Sequence, residues 1–396
     1  MKSEFPERLL YVHNSADIYG ASRSLLRLMS RLRQEGLHPL VILPENGPLE
    51  TRLGALGVEV IIDRGLTVIT RTVFRSWRVV GLIVTFPLSV WRLYRLMRRR
   101  RIQLVHSNTG VIVSPALAAR LARVPHVWHI RDSFADFRRL WKPYAAYMQC
   151  LSSRIIAVSR PIAAQFPPHP KVLVIHNGVD LDEFSIDSTA LGAEFRRRHG
   201  LAADAVVIGC VGRIKFRRKG QENLVLAAAR LKQRGFRAKY LLVGGSAPGA
   251  EDHPDRLRRL IRDQGVEADF VLTGEVSDPR PAYAAMDIFV LPSAQPEPFG
   301  GVILEAMGMG LPVIGTAIGG TSDQVEDGRT GFLIPPADPD ALADKLEWLR
   351  AHPDQCQAMG RAGRDRLKEC FSFEGMYSNF SKVYREVTNE TSHRPV

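Results

Sequence analysis

The sequence predicts an α/β protein built from two doubly wound parallel sheets with helices on both faces. The chain has 396 residues and is 45% hydrophobic, enough to form two well-buried cores. Short apolar runs of strand length alternate with amphipathic runs of helix length, which is the order that builds a parallel sheet. The same alternation starts again in the second half of the chain, so we predict a second sheet of the same kind.

Eleven strand-like runs support this fold class. Six fall in the first half: Leu9 to His13, Leu40 to Leu43, Val58 to Ile62, Leu104 to His106, Val127 to Ile130 and Ile155 to Val158. Five fall in the second half: Val206 to Val211, Tyr240 to Val243, Phe270 to Thr273, Ile288 to Leu291 and Pro312 to Gly315. Helical runs lie between most of them.

The Asn177-Gly178 turn follows a strand-like segment and is a natural domain junction. We therefore predict a first domain over residues 1–178, a second over 179–372, and a C-terminal helix over 373–396. Asp338 precedes Pro339 and the periodic run Ala341 to Leu349, which predicts a capped helix start.

The positive charge lies mainly in the first half. The chain carries a formal charge of +13, and the stretch from Arg64 to Arg131 holds thirteen arginines with no lysine and no acidic residue. Such a stretch fits an anionic membrane, an anionic substrate or nucleic acid. The four cysteines are widely spaced and form no C-x-x-C pair, and the start of the chain lacks a signal-peptide core. These features predict a cytoplasmic protein without structural zinc or disulfides.

The most informative motif is the segment from Glu297 to Met307, which follows the predicted strand ending at Leu291. A helix that opens near Gly300 would offer free amides for a diphosphate, because the first amides of a helix have no partner within it. Glu305 would then lie just inside this helix and suit a ribose, and Glu297 on the loop would face a sugar. The structural alternative is a pair of ordinary turn glycines followed by a surface glutamate.

Two cations follow the first strand of the second half. Arg213 comes directly after Val211-Gly212, and Lys219-Gly220 follows six residues later. Ligands of open parallel sheets sit beyond the carboxyl ends of strands, so both cations can converge on the site near Gly300. Fixed cations there would stabilise a departing diphosphate without a metal. The alternative is a solvated basic loop, since Lys215, Arg217 and Arg218 are adjacent.

The first half offers weaker signals. Gly20-Ala21 follows the first strand and precedes a helix, so it is a second candidate phosphate-facing turn. His106 and His129 end two predicted strands, and His129 is the better catalytic candidate because it begins the polar loop His129-Ile130-Arg131-Asp132. His106 is more simply read as a structural residue. Asp180-Leu181-Asp182 has the spacing of a metal-binding carboxylate pair, but it follows a linker turn. The chain shows no P-loop, no nucleophile elbow and no dinucleotide fingerprint after the first strand.

A set of motifs along almost the whole chain resembles one enzyme family. They are Gly20-Ala21, Trp128-His129, Asn177-Gly178-Val179-Asp180 with Phe184, Gly212-Arg213 with Lys219-Gly220, Leu291-Pro292-Ser293, Glu297 to Ala306, Gly310-Leu311-Pro312-Val313, Gly319-Gly320 and Asp327-Gly328 with Thr330-Gly331. Together they resemble the retaining glycosyltransferases of family 4, also called group 1. That family has the GT-B fold of two Rossmann-like domains facing a cleft.

The resemblance implies a role for each matching residue. Arg213 and Lys219 would bind the donor diphosphate, Glu297 the transferred sugar and Glu305 the ribose, and His129 would line the reaction centre. The implied donor-binding set is Gly20, Ala21, Arg213, Lys219, Val276, Glu297, Phe299, Gly300, Gly301, Val302, Ile303 and Glu305, and the implied catalytic set is His129, Glu297, Arg213 and Lys219. The family's retention is usually explained by front-face attack, in which the leaving phosphate accepts the proton. That scheme needs no protein nucleophile, no metal and no cofactor.

The implied reaction moves a hexose-type sugar from a UDP or GDP sugar to a lipid-linked or glycan acceptor, as in cell-envelope polysaccharide synthesis. Two other functions stay open from the residues: a nucleotide-sugar epimerase of the same fold, and a non-catalytic binder of nucleotide sugar or nucleic acid. The nucleic-acid reading draws on Trp77, Phe86 and Trp91 interleaved with arginines. It is disfavoured because that stretch is as apolar as it is basic, so we predict no nucleic-acid partner.

The arginine-rich stretch also predicts contact with an anionic membrane surface. From Leu88 to Arg101 a helical projection separates a basic face from an apolar one, as in helices that lie in the headgroup plane. The basic face holds Arg92, Arg95, Arg98 and Arg99, and the apolar face holds Val90, Leu93, Leu96 and Met97. The preceding run Val79 to Leu88 is too short to span a bilayer and is interrupted by Pro87. The alternative is that the apolar face packs on the first sheet.

Overall fold

A computed structural model describes residues 5–69, 78–134, 137, 140–184, 188–247 and 249–392. The chain divides into two compact units: residues 1–177 with 374–396, and residues 178–373. Each unit is built around one parallel sheet, so the predicted fold class is confirmed. Arg71, Arg75 and Trp77 of the arginine-rich stretch lie outside the described residues.

The first unit contains a seven-stranded sheet in the order β3-β2-β1-β4-β5-β6-β7. Its strands are β1 (Leu9–Val12), β2 (Leu40–Leu43), β3 (Glu59–Ile62), β4 (Leu104–Ser107), β5 (His126–Ile130), β6 (Arg154–Ala157) and β7 (Val172–Val174). Its helices are α1 (Gly20–Gln34), α2 (Pro48–Ala55), α3 (Arg78–Arg99), α4 (Ser114–Ala122), α5 (Trp141–Leu151) and α6 (Arg160–Ala163). All pairings between neighbouring strands are parallel.

The second unit contains a six-stranded sheet in the order β10-β9-β8-β11-β12-β13. Its strands are β8 (Val207–Val211), β9 (Lys239–Val243), β10 (Phe270–Gly274), β11 (Ile288–Leu291), β12 (Val313–Thr316) and β13 (Gly331–Ile334). Its helices are α7 (Ser188–Arg198), α8 (Gln221–Gln233), α9 (His253–Asp263), α10 (Arg280–Ala284), α11 (Gly301–Gly308), α12 (Thr321–Gln324), α13 (Pro339–Ala351) and α14 (Pro353–Cys370). Asp338 caps α13 by accepting the Ala341 amide at 2.9 Å, as predicted.

The last helix, α15 (Phe373–Ser392), belongs to the first unit from residue 374 onward. Its buried aromatic rings Phe380 and Tyr384 pack on one face of the first sheet. The Tyr11 hydroxyl donates to the Tyr384 hydroxyl at 3.0 Å, and Tyr384 contacts His106 Nδ1 at 2.8 Å. Apolar packing with a polar contact at its centre therefore fixes α15 against β1 and β4.

Helix α3 packs its apolar face on the sheet, so the assignment of that face to a membrane is wrong. Val90, Leu93 and Met97 are buried in one core cluster with residues of β1, β2 and β4. Of the four predicted basic residues, Arg92 forms an ion pair with Asp63 at 3.0 Å. The helix also continues through Pro87 rather than being interrupted there.

The outward side of α3 carries both charge and apolar surface. Arg98 and Arg99 are exposed, and the Arg95 guanidinium lies 4.6 Å from the centre of the Trp91 ring. Within the part of the chain that the structure describes, no helix combines the length and apolar character needed to cross a bilayer.

Candidate active site

The predicted site residues of the second unit gather where the order of its strands reverses. Strands β8 and β11 are neighbours, and the chain winds outward from them in opposite directions. This reversal leaves a crevice beyond the carboxyl ends of the two strands, where open α/β sheets bind ligands. Arg213 and Lys219 follow β8, and Glu297 and Gly300 follow β11.

The loop after β8 is folded tightly against the end of β11. Gly220 has φ +70°, and a Cβ at this position would lie 1.7 Å from the Pro292 carbonyl oxygen. A side chain here would therefore force the two segments apart, and only glycine permits the approach. The contact places Lys219 beside the loop that carries Glu297.

Lys219 and Glu297 form the central polar contact of the site. The Lys219 Nζ lies 2.6 Å from Glu297 Oε1, and both side chains are largely buried. The contact is an ion pair by distance, although its angles are not those of a hydrogen bond. Glu297 Oε1 is buried and has no hydrogen-bond partner among the described residues.

Two glycines after β12 support the loop that carries Glu297. The Gly320 amide donates to the Glu297 carbonyl at 2.7 Å. A Cβ on Gly319, which has φ +60°, would lie 2.3 Å from the same carbonyl oxygen. Close backbone contact from the turn after β12 therefore holds the Glu297 backbone in place, which restricts where its carboxylate can point.

Helix α11 begins at Gly301 with Gly300 as its N-cap residue, which confirms the predicted helix start. Gln324 holds this turn from both sides: it accepts the Gly300 amide at 3.1 Å and donates to the Gly300 carbonyl at 2.9 Å. The Ile303 amide donates to the Gly300 carbonyl. Of the four amides predicted to hold phosphate, those of Gly300 and Ile303 thus already have protein partners. Those of Gly301 and Val302 lie in the first turn, where a helix supplies no acceptor.

Glu305 is positioned by a tyrosine that the sequence analysis did not identify. The Tyr283 ring is fully buried, and its hydroxyl lies 2.9 Å from Glu305 Oε2 and 3.3 Å from the Val302 carbonyl. This hydroxyl ties the half-buried Glu305 carboxylate to the first turn of α11. Val276 follows β10, and the Phe299 ring packs against Phe371 with 5.8 Å between centres.

The Asp180-Leu181-Asp182 segment forms a turn. The Asp182 amide donates to Asp180 Oδ1 at 3.0 Å at the start of a short 3₁₀-helix, Leu181–Phe184. Phe184 is buried against α11, where a Cβ on Gly308 would lie 2.7 Å from its ring. Backbone capping and packing thus account for these residue types. Within the described ranges no group of three or more His, Cys, Asp or Glu side chains is arranged to hold a metal.

In the first unit the strand order reverses between β1 and β4. Gly20 and Ala21 form the first turn of α1 after β1, and a Cβ on Gly20 would meet no atom within 4 Å. His13 and Asn108 follow β1 and β4, and His13 Nδ1 lies 3.1 Å from Asn108 Nδ2. Burial lowers the pKa of His13 to about 3, with a smaller contribution from Arg131, so its ring is neutral.

His129 is the last residue but one of β5. Strand β5 runs to Ile130, and the His129 ring is only 1% exposed. It lies against Phe380 of α15 and against His106, with ring centres 5.1 and 5.6 Å away. Burial, Arg131 and His106 lower the pKa of His129 well below its usual range. The prediction that His129 begins a polar loop is wrong, because the strand includes Ile130, as predicted, and Phe380 of α15 packs against the His129 ring.

Arg131, two residues later, connects the polar groups at this sheet edge. Its guanidinium donates to Asn108 Oδ1 at 3.3 Å, Asn177 Oδ1 at 2.8 Å and Ser24 Oγ at 3.0 Å. It also lies 3.4 Å from His129 Nδ1. Burial lowers the pKa of Arg131 to about 10, which leaves it charged near neutrality. The sequence analysis noted Arg131 only as a loop residue, because its partners lie far away in the sequence.

Comparison with known proteins identifies the family of the chain. The family model described as "Glycosyltransferase Family 4" matches residues 18–183, and the one described as "Glycosyl transferases group 1" matches residues 205–352. The chain is 32% identical over 321 residues to the capsular polysaccharide biosynthesis glycosyltransferase CapM of Staphylococcus aureus, covering 76% of this chain and 82% of CapM. The chain belongs to the group 1, family 4 glycosyltransferases. The predicted family is thus confirmed, and the epimerase and non-catalytic alternatives are set aside.

Two further similarities extend the comparison. The glycosyltransferase is 31% identical over 233 residues to a D-inositol 3-phosphate glycosyltransferase of Corynebacterium urealyticum, and the match spans 57% of this chain and 53% of that protein. Its fold matches that of Anabaena HepE, crystallised in complex with UDP, with a TM-score of 0.83 at 24% identity. That match covers 96% of this chain and 100% of the HepE chain.

Proposed function

We propose that this glycosyltransferase moves a hexose from a UDP or GDP sugar to a lipid-linked or glycan acceptor, with retention of anomeric configuration and without a metal. The observation that carries this proposal is the Lys219–Glu297 contact at the strand-order reversal of the second unit, beside the start of α11. A cation and a carboxylate held together at this place suit a ligand with a diphosphate at one end and sugar hydroxyls at the other.

The charges of the site indicate which contacts change when the donor binds. A diphosphate diester carries about two negative charges and gains another as it leaves, so Lys219 would exchange Glu297 for phosphate oxygens. Arg213, which also follows β8, would supply the second cation. Glu297, released from the ion pair, would accept hydrogen bonds from sugar hydroxyls. The Gly301 and Val302 amides would complete the diphosphate site, and Glu305 would accept hydrogen bonds from the ribose.

These contacts supply the electrostatic part of catalysis. Cations and helix amides that already point toward the departing diphosphate stabilise the charge that develops on it, with little reorganisation during the reaction. In the retaining scheme the departing phosphate accepts the acceptor's proton on the same face. Glu297 then orients the sugar without attacking it.

In the first unit we propose that the strand-end groups around Arg131 form the acceptor side of the site. His129 is buried between β5 and α15, so we assign it an indirect part through its 3.4 Å contact with Arg131. The Arg131 hydrogen bonds to Asn108, Asn177 and Ser24 join the segments after β4 and β7 to helix α1. Arg131 thus acts as a positioning residue for this edge.

A lipid-linked acceptor would be met at the inner face of the cytoplasmic membrane, and the outward side of α3 supports such contact. Arg95, Arg98 and Arg99 lie on this side, and each arginine near an anionic surface contributes about 1 kcal/mol. Arg92 is paired with Asp63, so we expect it to contribute less.

The experiment that tests the proposed function is a donor panel. Purified protein is incubated with UDP, GDP and ADP sugars, and the slow release of nucleotide is measured in the absence of acceptor. We expect one UDP or GDP sugar to be hydrolysed well above the others. Equal and negligible nucleotide release from every donor, with protein that is folded and binds nucleotide, would contradict the proposal.

A further inference from the structure

The outer face of the first unit carries a concentration of exposed apolar side chains. Six large hydrophobic side chains are exposed in the described part of the chain, and four of them lie on the neighbouring helices α3 and α4: Val84 (63% exposed), Leu88 (51%), Trp91 (53%) and Leu121 (58%). Val84, Leu88 and Trp91 follow the i, i+4, i+7 spacing of a single helix stripe. Their grouping exceeds what scattered surface hydrophobics would give.

Two of them, Trp91 and Leu121, line a cleft of about 480 Å³ between α3 and α4. Helix α3 contributes Phe86, Val90, Trp91 and Tyr94, and α4 contributes Leu117 and Leu121. The volume falls within the range of about 300–1,000 Å³ typical of pockets for small molecules. The Ser89 and Ser114 hydroxyls, 2.8 Å apart, join the two helices where α4 begins. The cleft residues of α4 come after this contact.

The charges around the cleft indicate what occupies it. Helices α3 and α4 flank β4 in successive crossovers, so their C-terminal ends lie at the same edge of the sheet. Exposed Arg98 and Arg99 end α3, and exposed Arg120 and Arg123 lie at the end of α4. Between Arg64 and Arg131 the sequence has no acidic residue to offset them. An apolar cleft with a basic edge is complementary to a hydrocarbon chain attached to an anionic headgroup.

We propose that the cleft between α3 and α4 holds one hydrocarbon chain of an anionic lipid, with the headgroup at Arg98, Arg99, Arg120 and Arg123. The inference rests on the lipid-linked acceptor of the proposed function and adds to it a defined site for the chain. A second copy of the protein packed through α3 and α4 fits less well, because neither helix contains an acidic residue that could pair with the basic edge.

Photolabelling tests the site directly. Full-length protein is bound to vesicles that contain phosphatidylglycerol with a diazirine on its acyl chain, and labelled peptides are identified by mass spectrometry. Labels should concentrate on residues 86–94 and 117–121. Labelling that avoids both segments, or that is spread evenly over the surface of the chain, overturns the proposal.

Substitutions distinguish binding through the cleft from binding by charge attraction alone. The double variant Trp91→Asn/Leu121→Asn keeps every arginine and should bind phosphatidylglycerol vesicles at least tenfold more weakly than the wild type. Leu140→Asn is the matched control, because Leu140 is also exposed (46%) but lies at the start of α5. It should bind within about twofold of the wild type. Equal binding by the double variant and this control would contradict the cleft.

Two further measurements distinguish the ways in which the inference can fail. Donor hydrolysis needs no lipid, so the double variant should retain the wild-type rate. If donor is hydrolysed but the cleft is not labelled, the cleft inference fails alone; if the cleft is labelled but no protein hydrolyses any donor, the proposed function fails while the lipid site stands. A dimer by light scattering that Leu121→Asn dissociates would assign the cleft to a second copy and overturn the lipid site.

Discussion

Lys219 Nζ and Glu297 Oε1 lie 2.6 Å apart at the carboxyl ends of two neighbouring strands. Gly220 lets the Lys219 loop contact Pro292, while Gly319 and Gly320 contact the loop that carries Glu297. The backbone around both residues is therefore fixed, and the side chains are the parts that can change partners. The predictions for the donor site follow from this arrangement.

The two glutamates should affect nucleotide binding differently. Glu297→Gln should leave the affinity for UDP or GDP within about threefold, because its contacts are to the sugar that is absent from the free nucleotide. Glu305→Gln should weaken nucleotide binding about tenfold, and Tyr283→Phe, which removes the hydroxyl next to Glu305, should weaken it less. Calorimetric titration of each nucleotide checks this. A large loss with Glu297→Gln and none with Glu305→Gln would reverse the assignment.

The two cations should act together on the leaving group. Arg213→Ala and Lys219→Ala should each cost about 2–4 kcal/mol in transition-state stabilisation, by analogy with the loss of one oxyanion donor. The double variant should lose less than the sum, since both cations face the same diphosphate. Steady-state kcat/KM values with the donor chosen from the panel provide the measurement. Additive losses would show that the two residues act on separate groups.

Chelation should not affect turnover. Protein cations and helix amides supply the charge at the diphosphate. Activity in excess EDTA should therefore stay within about 20% of the untreated rate, which is roughly the precision of the assay. Kinetics after dialysis against chelator, with and without added Mn²⁺ or Mg²⁺, check this. Loss of activity that Mn²⁺ restores would reassign Asp180 and Asp182 as metal ligands.

The buried histidines should make the first unit sensitive to acid. Burial lowers the pKa of His13 and of His126 to about 3, against an unfolded value near 6.5. Below pH 6.5 the unfolded chain therefore binds protons that the folded chain does not. Stability should fall as pH falls toward 3, by about 1.4 kcal/mol per pH unit for each such histidine.

His126→Gln tests this linkage. The variant should lose stability near neutrality, because Ser107 and Ser152 lie at 2.9 and 3.2 Å from the His126 ring nitrogens. Its slope of unfolding free energy against pH should nevertheless be smaller than that of the wild type by about 1.4 kcal/mol per pH unit. The unfolding free energies of the wild type and the variant are measured by urea titration at pH 6, 5 and 4. Hydrogen exchange of the β4 and β5 amides reports on the first unit. Parallel slopes would contradict the linkage.

The sequence predicted the central strands well because they are buried on both faces and read as continuous apolar runs. Ile288–Leu291 and Leu40–Leu43 were predicted with the bounds that the structure has. Strand β13 was not predicted, and β7 was predicted only as the strand-like segment before Asn177, without bounds; both lie at the edges of their sheets. β7 is only three residues long, and β13 begins with Gly331 at φ +151°, so neither gives a strong apolar pattern.

The residues of the candidate site were likewise predictable only where the local sequence marks them. Lys219, Glu297 and Gly300 could be predicted because each follows a strand end or opens a helix, which local sequence reveals. Tyr283 and Gln324 could not, since their partners Glu305 and Gly300 are 22 and 24 residues away. The burial of His129 depends on α15, about 250 residues later in the chain, so no local pattern indicated it.

The rate of donor hydrolysis by Glu297→Gln tests the central claim most directly. Glu369→Gln on the exposed last turn of α14 is the matched control, and nucleotide affinity is measured on the same samples. If Glu297 orients the sugar, Glu297→Gln should turn over at least a hundredfold more slowly while keeping its nucleotide affinity. The control should match the wild type. No glycosyl ester should form on Glu297 of the wild type. Turnover of Glu297→Gln near the wild-type rate, or a glycosyl ester trapped on Glu297, would contradict the account.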